Sequence, residues 1–364
     1  MKLIIYGIRG FPDVQGGVEK HCEELYTKLS DLQVTVIRRK PYVNSNKTYP
    51  NITFKDIFAI KNKYLETPIH SFLSALYCIF NRPDIVHIHN IGPALTLSLL
   101  KLFRIKTVVT YHSSNYEHEK WNKLAKFVFK VSEKIMLKLA DKIIFVSENK
   151  KESIGKNDKC IAIPNGITNF DSLIPTANLK EYNLENKKYI LCVGRIVPEK
   201  RFIDVIKAIK NVPNINLVIA GSHDNDDNYV SLVKKFTASI HDRVVFTGHT
   251  TSNNLKLLYE HAYLFILPSE NEGMPIVLLE AMAFGLPCLV SNIQENLDIT
   301  QNKYGLSFIV KDTNDLTQKL DYMIKNTEKI QIMGKLAQAH VKKTYQWDNI
   351  AKQTLEVYNT ILRK

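Results

Sequence analysis

The sequence has few of the residues that characterise disulfide-rich, fibrous or membrane-spanning proteins. Its five cysteines among 364 residues are scattered and form no C-x-x-C pair, so neither a disulfide framework nor a zinc or thiol redox site is expected. Its 14 glycines and 13 prolines exclude a collagenous or low-complexity chain. The longest apolar run, 276–290, is interrupted by Glu280, Gly285 and Pro287 and is shorter than the roughly 20 residues that span a bilayer.

The N-terminal residues also lack the features of an export signal. Residues 3–7 form an apolar run that is too short for a signal peptide, and they are interpreted as a first strand. A soluble chain in the reducing cytoplasm is therefore expected. Its length suggests two domains of about 150–200 residues each.

Positive charge is what the sequence has in excess. The formal net charge is +13, and residues 1–180 hold 27 Lys and Arg against 16 Asp and Glu, whereas residues 181–364 hold 22 against 20. Between 120 and 142, lysines recur every three or four residues, at Lys123, Lys126, Lys130, Lys134, Lys138 and Lys142. This pattern predicts either the solvated side of an ordinary amphipathic helix or a surface attracted to anionic lipid headgroups. No aromatic RNA motif, zinc finger or basic-region zipper is present, so nucleic acid is not an expected partner.

Short β-rich segments alternate with longer amphipathic segments in both halves of the chain. The strands predicted in the first half are 2–6, 34–38, 85–89, 107–110 and 142–146, and those in the second are 189–193, 217–220, 244–246, 264–267 and 288–290. The alternation predicts two doubly wound, parallel-sheet α/β domains in tandem.

The expected domains are 1–170 and 171–345, with a polar, helix-poor hinge up to Asn186. A final helix within 346–364 is expected to cross back to the first domain. Ligands of such sheets bind at the carboxyl ends of strands, so the cleft between the domains is the expected site.

The most informative segment is 268–287. It follows an apolar strand, places Pro275 where the first helical turn tolerates proline, and stops at Gly285, which predicts a strand, a glycine turn at Gly273 and a helix. A helix start of this kind offers free N–H groups to a phosphate. Glu272 precedes the helix and Glu280 lies about two turns inside it, so the two carboxylates can reach different hydroxyls of a ligand. Merely solvated glutamates are the alternative, which the apolar neighbours of Glu280 disfavour.

This segment, E-G-M-P-I-V-L-L-E-A-M-A-F-G-L-P, resembles the E-x7-E motif of the retaining glycosyltransferases of family 4, which have the GT-B fold. Residues 193–200 are similar to the family's G-R-x-x-x-E-K element, and the resemblance implies that Arg195 and Lys200 grip the donor diphosphate. Residues 246–249, with Gly248 and His249, are similar to the F-x-G segment beside which the nucleotide base lies. The likeness, which includes 140–147 and 163–167, covers nearly the whole chain.

The loop between the first strand and the first helix, 7–19, carries the pair Gly16 and Gly17. It does not match G-x-G-x-x-G, which argues against a dinucleotide enzyme. Two glycines allow the backbone to approach a ligand closely. The resemblance implies that this loop lies over the donor phosphate and the acceptor. The sequence of the loop is similar to that of bacterial rhamnosyl and related polysaccharide transferases. The alternative is a surface turn.

Three histidines and one acidic pattern are further candidates. His87 and His89 alternate on a strand and face one side, so a metal pair is conceivable, although hydrogen-bonded histidines at a strand end are favoured. His112 ends a strand, and the matching family histidine contacts the transferred sugar. The segment 224–226 has the D-x-D form of the metal-dependent GT-A architecture, but such short acidic patterns often arise by chance.

The resemblance implies a retaining, metal-independent glycosyltransferase that needs no cofactor. Its implied substrates are a nucleoside-diphosphate sugar and a lipid-linked glycan acceptor, used in bacterial surface-polysaccharide synthesis by an enzyme bound peripherally to the anionic inner face of the cytoplasmic membrane. The implied catalytic residues are Glu272, Arg195, Lys200 and His112. The implied donor-binding residues are Glu280, Gly273, Met274, Pro275, Gly248, His249, Gly16 and Gly17.

One departure from the family pattern and two alternative functions stay open. Arg201 stands where the pattern commonly has glycine, which leaves room for different diphosphate contacts. A GT-B sugar-nucleotide epimerase would share the fold and the phosphate grip. A non-enzymatic basic protein that binds membranes or nucleic acid would use the charge alone.

Overall fold

A computed structural model describes residues 1–114, 116, 121–168, 176–212, 215–222, 227–250 and 252–363. The chain forms two compact units, Met1–Gly166 with Trp347–Lys364 and Ile167–Gln346. The boundaries predicted from the sequence are 170 and 345. The D-x-D segment at 224–226, Lys120 and the first part of the expected hinge lie outside the described residues.

The first unit contains a seven-stranded sheet in which every described strand pairing is parallel. The strand order is β3-β2-β1-β4-β5-β6-β7. Its elements are β1 (Lys2–Tyr6), α1 (Gly17–Lys28), β2 (Gln33–Arg39), β3 (Ile52–Ile57), α2 (Glu66–Asn81), β4 (Ile85–His89), α3 (Leu97–Leu102), β5 (Thr107–Tyr111), α4 (Lys123–Leu139), β6 (Lys142–Phe145), α5 (Glu148–Ile154), β7 (Cys160–Ala162) and, from the end of the chain, α13 (Trp347–Leu362).

Strands β1 and β4 lie at the centre of this sheet, where the strand order reverses. All five residues of β4 and four of the five in β1 are buried, as expected for parallel strands that are covered on both faces. Gly7, directly after β1, has φ +100°, and a Cβ there would lie 2.1 Å from the carbonyl oxygen of His89. Only glycine fits this approach, which brings the carboxyl ends of β1 and β4 together.

Helix α13 packs against α1 within the first unit. Lys106 donates from Nζ to the carbonyl oxygen of Ile361 at 2.7 Å, and Tyr358 Oη lies 2.6 Å from His87 Nδ1. A Cβ on Gly166 would approach Trp347 to 2.6 Å, so the glycine permits the packing of this tryptophan. The C-terminal helix is thus built into the core of the first unit.

The second unit contains a six-stranded sheet, again parallel at every described pairing, with the order β10-β9-β8-β11-β12-β13. Here the order reverses between β8 and β11. Its elements are β8 (Tyr189–Val193), α6 (Phe202–Ile209), β9 (Asn216–Ala220), α7 (Asp227–Thr237), β10 (Val244–Gly248), α8 (Ser252–His261), β11 (Leu264–Leu267), α9 (Ile276–Ala283), β12 (Cys288–Ser291), α10 (Gln294–Thr300), β13 (Leu306–Phe308), α11 (Thr313–Lys325) and α12 (Thr327–Thr344).

The predicted class, two doubly wound parallel α/β units, is confirmed. The ten predicted strands are present, but β3, β7 and β13 were not predicted. Each of these three lies at or next to a sheet edge, and β3 buries only Ile52, so the apolar pattern of an interior strand is missing. The expected helix-poor segment is partly wrong, because Thr176–Tyr182 forms a 3₁₀ helix. No helix among the described residues has both the length and the apolar character that crossing a bilayer requires.

Candidate active site

Two loops that follow β8 and β11 form the core of the site in the second unit. Because the strand order reverses between these neighbouring strands, their carboxyl ends open a crevice in which ligands of doubly wound sheets bind. The backbone N–H of Glu270, after β11, donates to the carbonyl oxygen of Glu199, after β8, at 3.0 Å. This bond fixes the two loops side by side and brings residues 194–200 next to 268–275.

Lys200 and Glu272 form an ion pair between these loops. Lys200 Nζ lies 2.5 Å from Glu272 Oε1, and the two side chains are 16% and 11% exposed. The lysine stem passes Gly194, where a Cβ would lie 3.5 Å from Lys200 Cε. The pair therefore places a cation and a hydrogen-bond acceptor together at the sheet edge, both largely shielded from water.

Arg195 and Arg201 flank this pair. Arg195 is half-buried in the turn directly after β8, and its carbonyl oxygen accepts from the N–H of Val197 at 3.0 Å. Arg201 has φ +53°, the left-handed region, which explains why glycine suits this position. Its guanidinium donates to Asp204 at 2.9 and 3.1 Å. Arg201 is thus paired with Asp204 at the start of α6, and it also interacts electrostatically with Glu270 of the loop after β11.

Helix α9 carries Glu280 into the protein interior. The helix begins at Ile276, so Pro275 occupies the capping position and Glu280 lies little more than one turn inside, which corrects the predicted first-turn proline and two-turn depth. Glu280 is 2% exposed, and its Oε2 accepts a hydrogen bond from Tyr259 Oη at 3.2 Å. The alternative of a solvated glutamate is therefore wrong. Burial and the neighbouring Glu280 carboxylate raise the pKa of Tyr259 well above its usual value.

The other candidate donor residues of this unit surround the same edge. Gly273 and Met274 are half-buried in the turn before α9. Gly248 ends β10 with φ +66° and nothing within 4 Å of a Cβ position, and His249 beside it is exposed. Phe246 on the same strand is 39% exposed.

In the first unit, the glycine loop meets the start of α1. Gly16 caps α1, and its carbonyl oxygen accepts from the N–H of Lys20 at 3.0 Å. A Cβ on Gly16 would lie 1.9 Å from Glu19 Oε2, whereas one on Gly17 would meet nothing within 4 Å. Glu19 is buried and accepts from the backbone N–H of Arg9 at 3.0 Å. A Cβ on Gly16 would thus displace the carboxylate of Glu19, whereas Gly17 leaves open space.

His112 lies in a buried hydrogen-bonded group of aromatic side chains at the carboxyl ends of β4 and β5. Its Nε2 is 3.0 Å from His89 Nδ1, and His89 Nε2 is 2.7 Å from Tyr26 Oη. His87 lies 4.5 Å from His89, ring to ring, and reaches Tyr26 Oη at 2.9 Å and Thr110 Oγ1 at 2.7 Å. The prediction that His87 and His89 face one side and are hydrogen-bonded is confirmed.

His21 completes this group and was missed by the sequence analysis. It lies on α1, its Nδ1 donates to Asn165 Oδ1 at 2.7 Å, and its ring is 4.8 Å from that of His112. Burial lowers the pKa of His21 to about 4, and burial also lowers the pKa values of His89 and His112 well below the usual value. All three imidazoles are therefore neutral at pH 7. The only sequence signal for the place of His21 in this group is its position about one turn into the helix that follows Gly17.

The predicted residues thus gather at two sheet edges. Arg195, Lys200, Glu272, Gly273 and Met274 lie in the two loops at the β8–β11 crevice. Glu280 follows on the helix that leaves this crevice. Gly16, Gly17 and His112 lie at the carboxyl edge of the sheet of the first unit.

Two doubly wound parallel units, with such a crevice in the second, define the GT-B class of proteins. A family model for "Glycosyltransferase Family 4" matches residues 15–168, and one for "Glycosyl transferases group 1" matches residues 176–340. The chain belongs to glycosyltransferase family 4, and the predicted family and GT-B fold are confirmed.

Three curated relatives show how far this likeness extends. An uncharacterized glycosyltransferase of Methanocaldococcus jannaschii is 31% identical over 59% of this chain and 59% of its own length. The N-acetyl-alpha-D-glucosaminyl L-malate synthase of Bacillus anthracis is 27% identical over 100% of this chain and 98% of the relative. The Escherichia coli UDP-Gal:alpha-D-GlcNAc-diphosphoundecaprenol alpha-1,3-galactosyltransferase is 29% identical over 70% of each.

Solved structures share the fold at lower identity. Sucrose-phosphate synthase from Thermosynechococcus elongatus has a TM-score of 0.85 and 22% identity and covers 100% of this chain and 99% of its own. The Anabaena protein HepE in complex with UDP-glucose has a TM-score of 0.83 and 14% identity and covers 99% of each chain.

Proposed function

We propose that the protein is a retaining, metal-independent glycosyltransferase that moves a sugar from a nucleoside diphosphate to a hydroxyl acceptor. The observation that carries this proposal is the Lys200–Glu272 pair at the crevice between β8 and β11, formed by the loop that also contains Arg195. Lys200, together with Arg195 of the same loop, supplies positive charge for a leaving diphosphate. Glu272 supplies a carboxylate for sugar hydroxyls at the same edge of the sheet.

The leaving diphosphate accumulates negative charge as the anomeric bond breaks. Fixed positive charge aimed at this group lowers the barrier because it stabilises the transition state more than the ground state. Arg195 and Lys200 provide that charge, and the free N–H groups at the start of α9 add a positive dipole end. These groups together take the place of a metal ion.

The two carboxylates and the histidine orient the donor. Glu272 binds hydroxyls of the transferred sugar and also pairs with Lys200. Glu280, which accepts a hydrogen bond from Tyr259, binds the ribose hydroxyls. His112 contacts the transferred sugar. Acceptor attack on the face from which the diphosphate leaves, with a donor phosphate oxygen taking the acceptor proton, retains the anomeric configuration without a covalent nucleophile.

The acceptor is a lipid-linked glycan at the inner face of the cytoplasmic membrane. The galactosyltransferase relative, whose name specifies a diphosphoundecaprenol acceptor, supports this assignment. So does α4, where Leu124 and Phe127 are 70% and 64% exposed beside the exposed lysines Lys123 and Lys130. A surface that mixes apolar tips with lysines suits an anionic bilayer.

A donor screen tests the proposal. Purified protein is incubated with UDP-, GDP- and dTDP-sugars and lipid-diphosphate glycan acceptors in the presence of a chelator, and release of nucleoside diphosphate and the anomeric configuration of the product are measured. We expect acceptor-dependent release with retention. Formation of an isomerised donor in the absence of acceptor would instead identify an epimerase. Absence of any turnover, together with binding of the nucleotide sugars and lipid-linked glycans that Glu272→Gln leaves unchanged, would identify a non-enzymatic binding protein.

A further inference from the structure

Three histidines from separate elements converge inside the first unit. His21 comes from α1, His89 ends β4 and His112 follows β5. One ring nitrogen of each lies within 4.8 Å of one ring nitrogen of both others, and all three side chains are buried. The ring of His21 is 4.8 Å from that of His112 and 5.6 Å from that of His89.

The hydrogen bonds at the outer side of this cluster leave one lone pair without a partner. Asn165 Oδ1 can only accept, so His21 carries its proton on Nδ1 and its Nε2 is an unprotonated acceptor. This Nε2 is buried and has no hydrogen-bond partner among the described residues. A buried acceptor without a donor is costly, and a ligand that accepts its lone pair would remove that cost.

The second histidine can offer a lone pair in the same way. If His89 holds its proton on Nε2, it donates to Tyr26 Oη at 2.7 Å, and its Nδ1 becomes free. That nitrogen faces His112 Nε2 at 3.0 Å. With the proton of His112 on Nδ1, all three imidazoles are neutral and present lone pairs, so a cation can bind after a shift of tautomer and a closer approach of the rings.

We propose that His21, His89 and His112 form a binding site for a transition-metal ion of the zinc class, with Asn165 and Tyr26 orienting the ligands from outside. Imidazole nitrogen suits Zn²⁺, Co²⁺, Ni²⁺ and Cu²⁺, and three histidines leave a fourth position for water or a hydroxyl. Zn–N bonds of about 2.0–2.1 Å place tetrahedral ligand atoms about 3.3 Å apart. The widest pair must therefore approach by roughly 1.5 Å when the ion binds.

The ion is an inhibitor in this proposal and is not needed for transfer. This part rests on the proposed function, in which His112 contacts the transferred sugar. An ion bound to His112 fixes its ring and occupies one of its nitrogens, so metal binding opposes the contact of His112 with the sugar and weakens donor binding.

Binding is tested on the chelator-treated full chain, with Co²⁺ alone as the probe and no substrate present. We expect the intense visible absorption of four-coordinate Co²⁺ at one ion per chain, displaced by Zn²⁺. His21→Gln, which preserves the size of the side chain, should abolish the absorption. Asn165→Ala should weaken binding about 10–100-fold, and Asn165→Asp, which still accepts from His21, should retain it.

The control and the contrary results separate this proposal from the transferase assignment. His241→Gln, at an exposed histidine of the second unit, should leave the absorption unchanged. Absence of four-coordinate absorption in a folded protein, or its persistence after His21→Gln, would overturn the metal site whatever the donor screen shows. In the transfer assay, Zn²⁺ should raise the apparent KM for the donor, and inhibition that is equal in wild type and His21→Gln would overturn the inhibitory role.

Discussion

Lys200 and Glu272 hold one another across the two loops that follow β8 and β11, with Nζ 2.5 Å from Oε1. The family resemblance implies separate roles for these residues, one on the diphosphate and one on the sugar. Their contact makes the two roles dependent, because the carboxylate fixes the direction in which the ammonium group points and the ammonium group holds the carboxylate in place.

Removing either member of the pair should therefore damage both functions. We expect Lys200→Ala and Glu272→Gln each to lower kcat about 10²–10³-fold, the magnitude typical for one lost electrostatic contact in a transition state. The double variant should lose less than the product of the single losses, because residues that act as a unit are not additive. Steady-state rates of nucleoside diphosphate release provide the measurement.

The neighbouring pair of Lys311 and Glu270 is the matched control. Lys311 Nζ lies 2.8 Å from Glu270 Oε2, and the lysine is 51% exposed. Lys311→Ala should change kcat by less than about threefold, because the lysine is half-exposed and its charge is screened by solvent, while the Glu270 side chain, 18% exposed, stays in place. Strictly multiplicative losses in the Lys200 and Glu272 variants would contradict their coupling.

The sequence could predict this site for a specific physical reason. The motifs around Arg195 and Glu272 follow two buried, apolar strands, and neighbouring parallel strands end at the same sheet edge. The features that could not be predicted from the sequence also have specific physical reasons. The contact between Lys200 and Glu272 depends on the adjacency of β8 and β11, which are separated in the chain, and His21 lies on a helix whose packing the local pattern does not determine.

Arg201 illustrates a conformational cost that the sequence pattern only hinted at. Its φ of +53° is unfavourable for a side chain by about 1–2 kcal/mol, yet its guanidinium pairs with Asp204, whose side chain is 5% exposed. Arg201→Gly should destabilise the wild-type protein by about 1–2 kcal/mol, because hydrogen bonds to a charged partner contribute about 1.5–3 kcal/mol. Urea denaturation monitored in the second unit provides the measurement.

The effect of Arg201→Gly on the free energy of unfolding should change sign when the buried carboxylate of Asp204 is removed. In an Asp204→Ala background the Arg201–Asp204 ion pair is already removed, so Arg201→Gly should stabilise the protein by up to about 1 kcal/mol through relief of the left-handed conformation. A destabilisation of equal size in both backgrounds would show that the ion pair does not compensate for the backbone conformation.

His70 on α2 is a buried imidazole that should make the first unit sensitive to acid. It is 0% exposed, and neither ring nitrogen forms a hydrogen bond of good geometry among the described residues. Burial and the nearby Arg39 lower its pKa to about 4, with the Arg38 backbone opposing this change. The unfolded chain takes up a proton near pH 6.5 and the folded chain does not, so stability falls as the pH drops from about 6.5 to about 4.

His70→Leu should therefore stabilise the first unit, and more so in acid. We expect this variant to be more stable than wild type by about 1 kcal/mol at pH 7, because an unpaired buried polar group is removed. At pH 5 the stabilisation should be about 2 kcal/mol larger, because the unfolded wild-type chain takes up a proton that the folded chain does not. Thermal denaturation between pH 5 and 7.5 provides the measurement, and His241→Gln at an exposed position should leave the slope unchanged. A pH-independent difference between His70→Leu and wild type would contradict the depressed pKa.

The lysines of α4 provide the test of membrane docking. Reversing Lys126, Lys130 and Lys134 to Glu should weaken binding to anionic vesicles at least about a hundredfold, since each lysine near such a surface contributes about 1 kcal/mol. Co-sedimentation with phosphatidylserine vesicles provides the measurement.

Two further variants separate the contribution of α4 from that of net charge and of apolar insertion. Reversing Lys210, Lys234 and Lys235 in the second unit changes the net charge equally and should leave vesicle binding nearly intact. Replacing Leu124 and Phe127 by Ser keeps every lysine, so it should weaken binding through lost apolar burial alone and leave the salt dependence unchanged. Equal effects of the two charge reversals would mean that the overall charge, rather than the surface of α4, attracts the protein to lipid, and unchanged binding after the α4 reversal would refute docking through this helix.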